Sequence, residues 1–272
     1  MKTYIASDFH GCPNQVVKHI LNDIMEKDDH LYFLGDAADR GYDGVENLLD
    51  LLKDERVTYL LGNHEEFILG SRTAIYDEEH WFMPNSFVDN WVYTNGGNKT
   101  FYKLCDLDNN TKDFIFHRLN NALISAEYTS EIGGHKLFLG HANHADLVHA
   151  SPAEIKDYVL WDRGHFNDNW HGGENEILVH GHTPVQYLEF FYGYKKNKNA
   201  PEDPTFMIRK AAWNHQNYNH KPNIITYCDG HKIDIDLCTI VSNRICLLDA
   251  DTLEEYYIDF DVPERKKEEW EE

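Results

Sequence analysis

The chain has 272 residues, with 47 Asp or Glu against 25 Lys or Arg and a formal net charge of −22. So acidic a surface repels polyanions, which argues against nucleic acid bound through a broad basic face. The five cysteines are odd in number and form no C-x-x-C pair, and no apolar run approaches the roughly 20 residues that cross a bilayer.

Met1 leads directly into an apolar run, Tyr4 to Ala6, that reads as a strand, so no targeting segment is expected and the expected location is cytoplasmic. Gln15 to Lys27 carries Val16, Val17, Ile20, Leu21, Ile24 and Met25 at helical spacing. A strand over Leu31 to Leu34 follows, then a helix over Val45 to Lys53 and a strand over Val57 to Leu61. This alternation predicts a β-α-β-α-β unit with right-handed crossovers. Residues 66 to 121 read as mainly helical.

Strands dominate from Ala122 onward. Ala122 to Tyr128 and Lys136 to Leu139 flank Gly133-Gly134 as a hairpin. A helix is expected over Pro152 to Leu160, with Ser151 as its N-cap. Further strands are expected at Ile177 to Val179, Val185 to Tyr192, His231 to Asp236, Arg244 to Leu248 and Glu255 to Phe260. The whole suggests two mixed sheets packed face to face with helices on both outer faces, a four-layer α/β/β/α sandwich in one domain over residues 1–272. The tail from Pro263 to Glu272 alternates in charge and is expected to be solvated.

Three early strands end in residues that bind hard metals: Ser7-Asp8-Phe9-His10-Gly11, Gly35-Asp36-Ala37-Ala38-Asp39-Arg40-Gly41 and Gly62-Asn63-His64-Glu65. The carboxyl ends of parallel strands form the rim where ligands bind. Charges in a tight turn after a buried strand are costly unless paired or metal-bound. Two later strands end in histidine, at Leu139-Gly140-His141 and at Val179-His180-Gly181-His182-Thr183-Pro184. His180 either supports His182 or plays a purely structural part, and the structural part is preferred.

These segments, in this order, resemble the calcineurin-like metallophosphoesterases, and within them the phosphoprotein phosphatase branch with its small bacterial and phage enzymes. Trp91 to Gly97 resembles that branch's W-x(4)-G-G stretch, Trp161-Asp162-Arg163 its W-x-R segment, and Ile233 to Asp236 the strand before its I-D-T-G turn. The resemblance implies two metal ions, with Asp8 and His10 on the first, Asp36 bridging, and Asn63, His141 and His182 completing the second. Carboxylate, amide and imidazole donors together suit manganese, iron or zinc better than calcium.

The resemblance also implies phosphate-ester hydrolysis by direct attack of a metal-bridging hydroxide, without a phosphoenzyme. Arg40 and Arg163 would clamp phosphoryl oxygens, His64 would protonate the leaving group, and Asp39 would orient His64. The first expectation for substrate is a protein phosphorylated on serine or threonine. Small phosphorylated metabolites or dinucleoside polyphosphates are the alternative, and a non-catalytic binding protein on the same fold is a third. Two features depart from the family. Asp236-Leu237-Cys238-Thr239 lacks the turn's glycine, so a different local backbone is expected there. The insertion at about 190–222 has no counterpart; its basic and aromatic residues would either guide phosphorylated substrate or form an ordinary surface insertion.

Overall fold

The structure is a computed structural model that describes residues 1–77, 83–148, 150–151, 154–167, 170, 172–188 and 221–261. The expectations for the 190–222 insertion and for the tail after residue 262 fall almost wholly outside these residues.

Among the described residues, ten strands form two five-stranded sheets. The first contains β1 (Thr3–Ala6), β2 (His30–Phe33), β3 (Val57–Tyr59), β9 (Arg244–Asp249) and β10 (Glu255–Asp259), in the order β10-β9-β1-β2-β3. The second contains β4 (Ser125–Thr129), β5 (Lys136–Gly140), β6 (Glu176–His180), β7 (Ile225–Tyr227) and β8 (Lys232–Asp234), in the order β4-β5-β6-β8-β7. Both are mixed: β1, β2 and β3 run parallel, as do β5, β6 and β8, while β9 pairs antiparallel with both β1 and β10, and the edge strands β4 and β7 pair antiparallel with β5 and β8.

Strand β1 shows why the layers form. All four of its residues are buried, as expected for a strand covered on both faces. Successive side chains point to opposite faces. Tyr4 and Ala6 accordingly join the core beneath the helices, while Ile5 joins a second core with Leu137, Leu139, Val179 and Ile233 of the other sheet. The helical layer on the first sheet includes α1 (Asn14–His19) and α2 (Gly44–Lys53), the latter burying Val45, Leu48, Leu51 and Leu52. Among the described residues, the outer face of the second sheet is covered by shorter pieces, a 3₁₀ turn at His165–Asn167 and a short helix over 185–188, whose Phe166 and Leu188 pack on Tyr227.

Several boundaries differ from the sequence reading. The first helix passes into a π turn at Ile20–Ile24 and stops before Met25. The Pro152–Leu160 helix runs instead over Ile155–Trp161 after Glu154, and Ser151 lies upstream, its hydroxyl bonded to the Glu154 carboxylate. Val185 to Leu188 is helical, not a strand. Pro184 sets φ for a helical start, and Val185 N–H is already bonded to Asp236 C=O (2.8 Å). Strand β7 was not anticipated. The glycine missing after Asp236-Leu237 leaves Cys238 at φ 54°, in the left-handed region that glycine enters freely.

Candidate metal centre

The carboxyl ends of the parallel strands of both sheets meet on one rim. His141, which follows β5, donates from Nδ1 to Leu34 C=O after β2 (2.9 Å), and His182 N–H, after β6, donates to Asp8 Oδ2 after β1 (3.0 Å). Asn63 and His64 open helix α3 (Asn63–Gly70), so their side chains leave the first turn in different directions.

The six anticipated ligands converge, and all are buried. Asn63 Oδ1 lies 2.9 Å from both His141 Nε2 and His182 Nδ1. Asp36 Oδ2 is 3.5 Å from His10 Nε2 and 3.5 Å from His141 Nε2. Asp8 Oδ1 is 3.6 Å from His10 Nε2 and is buried with no hydrogen-bond partner among the described residues. Donor atoms of Asp8, Asp36 and His141 fall within 4.8 Å of one another, as do those of His10, Asp36 and His64. Asp36 is common to both groups, the position a bridging carboxylate requires. An orphaned carboxylate oxygen among buried imidazoles fits a cation.

Backbone strain accompanies this convergence. Asp8, His10, Asp36, Asp39, Arg40 and His182 all have positive φ, between 44° and 70°. Such conformations cost about 1–3 kcal/mol each and persist only where surroundings over-determine them. Gly62 and Gly181 provide the room: a Cβ on Gly62 would meet Asp36 Oδ1 at 2.1 Å, and one on Gly181 would meet Asp8 Oδ2 at 2.0 Å.

Three supporting residues had no role assigned from the sequence. Buried Glu65 accepts from Asp36 N–H (2.8 Å), Ala37 N–H (3.1 Å), Gly62 N–H (2.9 Å) and the Tyr59 hydroxyl (2.8 Å), tying the loop after β2 to the start of α3. Ser7 Oγ donates to Asp8 Oδ2 at 2.5 Å. Trp91 Nε1 donates to Asp39 Oδ2 at 2.6 Å, and the same oxygen lies 2.5 Å from His64 Nδ1. Trp91, Asp39 and His64 thus form a buried chain ending at the ligand cluster.

Both arginines are exposed at the rim. Arg40 donates to His10 Nε2 (2.6 Å) and His64 Nε2 (3.1 Å), whereas Arg163 donates from Nε to Thr183 Oγ1 (3.1 Å). Arg163 makes no described hydrogen bond to the six ligands, but burial first and its charge second hold His182 well below the usual histidine range.

His141 behaves oppositely. Burial opposes its charge, but Asp36 outweighs burial and brings its pKa up to about 9. Both its nitrogens face oxygens, Leu34 C=O and Asn63 Oδ1, so without a cation the ring carries two protons. A metal bound at Nε2 would have to displace the proton there. Affinity for Mn²⁺ should therefore rise by about tenfold per unit from about pH 7 toward pH 9, then level off. Calorimetric titrations across that range check this, and a flat profile would mean that His141 loses no proton on binding.

The sequence model of the calcineurin-like phosphoesterases matches residues 1–262. No curated protein matches the chain in sequence. Among solved structures, one described as a "putative diadenosine tetraphosphatase" superposes with a TM-score of 0.54 at 14% identity, over 96% of this chain and 95% of that one. A metallophosphoesterase from Sphaerobacter thermophilus gives 0.47 at 13% identity, over 96% and 88%. A serine/threonine phosphatase from Saccharomyces cerevisiae, similar to human PP5, gives 0.49 at 11% identity, over 98% and 81%. On the near-complete family match, the chain belongs to the calcineurin-like phosphoesterases and is a metal-dependent phosphoesterase.

Proposed function

We propose that the chain is a dinuclear phosphomonoesterase acting on proteins phosphorylated at serine or threonine. Asp8 and His10 would hold one ion, Asn63, His141 and His182 the other, and Asp36 both. Two such ions, manganese, iron or zinc by the donor types, supply Lewis acidity and lower the pKa of water toward neutrality.

The observation that carries this reading is the His64–Asp39–Trp91 chain. Asp39 accepts a hydrogen bond from His64 Nδ1–H, so Nε2 is the atom left to face the reaction. An alkoxide leaving from a serine or threonine ester needs a proton far more than a phosphate leaving from an anhydride. A buried, braced acid is therefore of most use on an ester. Arg40 donates to His10 and His64 here, but a phosphoryl group is a stronger acceptor and would draw the guanidinium to itself. This would free His64 Nε2 to carry the proton. Arg163 stands at the same rim to take a second oxygen.

Dinucleoside polyphosphates are the second reading, favoured by the 0.54 superposition on the protein of that description. Turnover of a phosphoserine peptide, a phosphothreonine peptide, nucleotides and diadenosine tetraphosphate separates the two. The first reading expects the highest kcat/KM on a phosphopeptide, and a clear preference for the diadenosine compound would replace it. Trp91→Phe should lower kcat on a phosphopeptide by about 10–100-fold, the loss of one hydrogen bond to a charged acceptor. Measured kcat at saturating substrate decides, and an unchanged value would remove Trp91 from the chain.

A further inference from the structure

The geometry points to His180 and Tyr227 as positioning residues that polarise one peptide bond against Asp8 and thereby tune the first metal site. His180 is the last residue of β6 and points to the outer face of the second sheet, away from the ligand cluster. It is fully buried among His165, Phe166 and Tyr227, with ring centroids 4.9, 5.8 and 5.9 Å away.

The hydrogen bonds fix its tautomer. Nδ1 lies 3.0 Å from Gly181 C=O, an oxygen that can only accept, so Nδ1 carries the proton. Nε2 is then an acceptor, and the Tyr227 hydroxyl, 2.8 Å away, donates to it. The Gly181 carbonyl also accepts from Thr183 N–H at 2.7 Å. The other end of that same peptide unit is His182 N–H, which donates to Asp8 Oδ2 at 3.0 Å.

The bonds therefore share one direction: Tyr227 O–H to His180 Nε2, His180 Nδ1–H to Gly181 O, and His182 N–H to Asp8 Oδ2. Hydrogen bonds aligned this way polarise one another, more strongly in a low-dielectric interior. With the Ser7 hydroxyl on the same oxygen, Oδ2 is held by two donors while Oδ1, facing His10, has no partner among the described residues. The peptide cannot drift from the carboxylate, because both Asp8 and His182 are held at positive φ and Gly181 lies against Asp8 Oδ2. Outer partners of metal ligands typically change affinity by about 10–100-fold.

This inference rests on the assignment of Asp8 to the first ion. The test is calorimetric titration of Mn²⁺ into the metal-free full chain, with melting temperature measured alongside. In Tyr227→Phe, which keeps the ring, one of the two binding events should weaken by about 10-fold and the other by less than about twofold. His180→Leu should weaken the same event by about 10–100-fold. His180→Asn places an amide N–H where Nδ1 was and should restore most of that loss. A purely structural role would weaken both events together and give no rescue by Asn. Either that result or an unchanged Tyr227→Phe titration would overturn the proposal while leaving Asp8 a ligand. A wild-type chain that takes up no Mn²⁺ would overturn both.

Discussion

His64→Asn should slow hydrolysis of an alkyl phosphate by about 10²–10⁴-fold while leaving both metal ions bound. The six candidate ligands are other residues, and the His64 backbone N–H that caps Asp36 Oδ1 at 3.0 Å is untouched by the substitution. What is lost is the proton at Nε2. The loss should be larger for an alkyl than for an aryl phosphate, whose leaving group departs without help. Equal losses on the two substrates would remove His64 from the acid role. Loss of metal would make it a ligand, since its donor atom lies within 4.8 Å of those of His10 and Asp36.

Asp36→Asn should damage metal binding more than any other single ligand change. Burial works against the charge of Asp36, yet His141, His64 and His10 around it hold its carboxyl well below the usual range. That charge faces both donor groups, so its removal weakens attraction for two cations at once. Both affinities should fall by more than the roughly 100-fold upper range for outer partners. Elemental analysis of the purified variant checks this, and two retained metals per chain would show that Asp36 does not bridge.

The candidate ligands were legible because they stand where a hydrophobic strand gives way to Asp, Asn or His. Asp8, Asp36 and Asn63 follow β1, β2 and β3, and His141 and His182 follow β5 and β6. Strand order, not long-range geometry, carries that information. The supporting chain was less accessible. Trp91 meets Asp39 across 52 residues of sequence, and Glu65 gathers donors from the loop after β2; a lone Trp or Glu announces neither partner. The alternating stretch after Pro184 imitates a strand, and only the bond from Val185 N–H to Asp236 C=O shows why it turns into helix. Arg163 was anticipated as a clamp, and the structure brings it to the rim beside Thr183.

The most direct test of the two-ion centre is a titration of Mn²⁺ into the chelator-stripped chain, with metal bound and p-nitrophenyl phosphate turnover followed together. A two-ion centre predicts saturation at two ions per chain, activity that reaches its plateau only as the second ion binds, and no activity in excess chelator. Saturation at one ion, or turnover that survives complete metal removal, would contradict it.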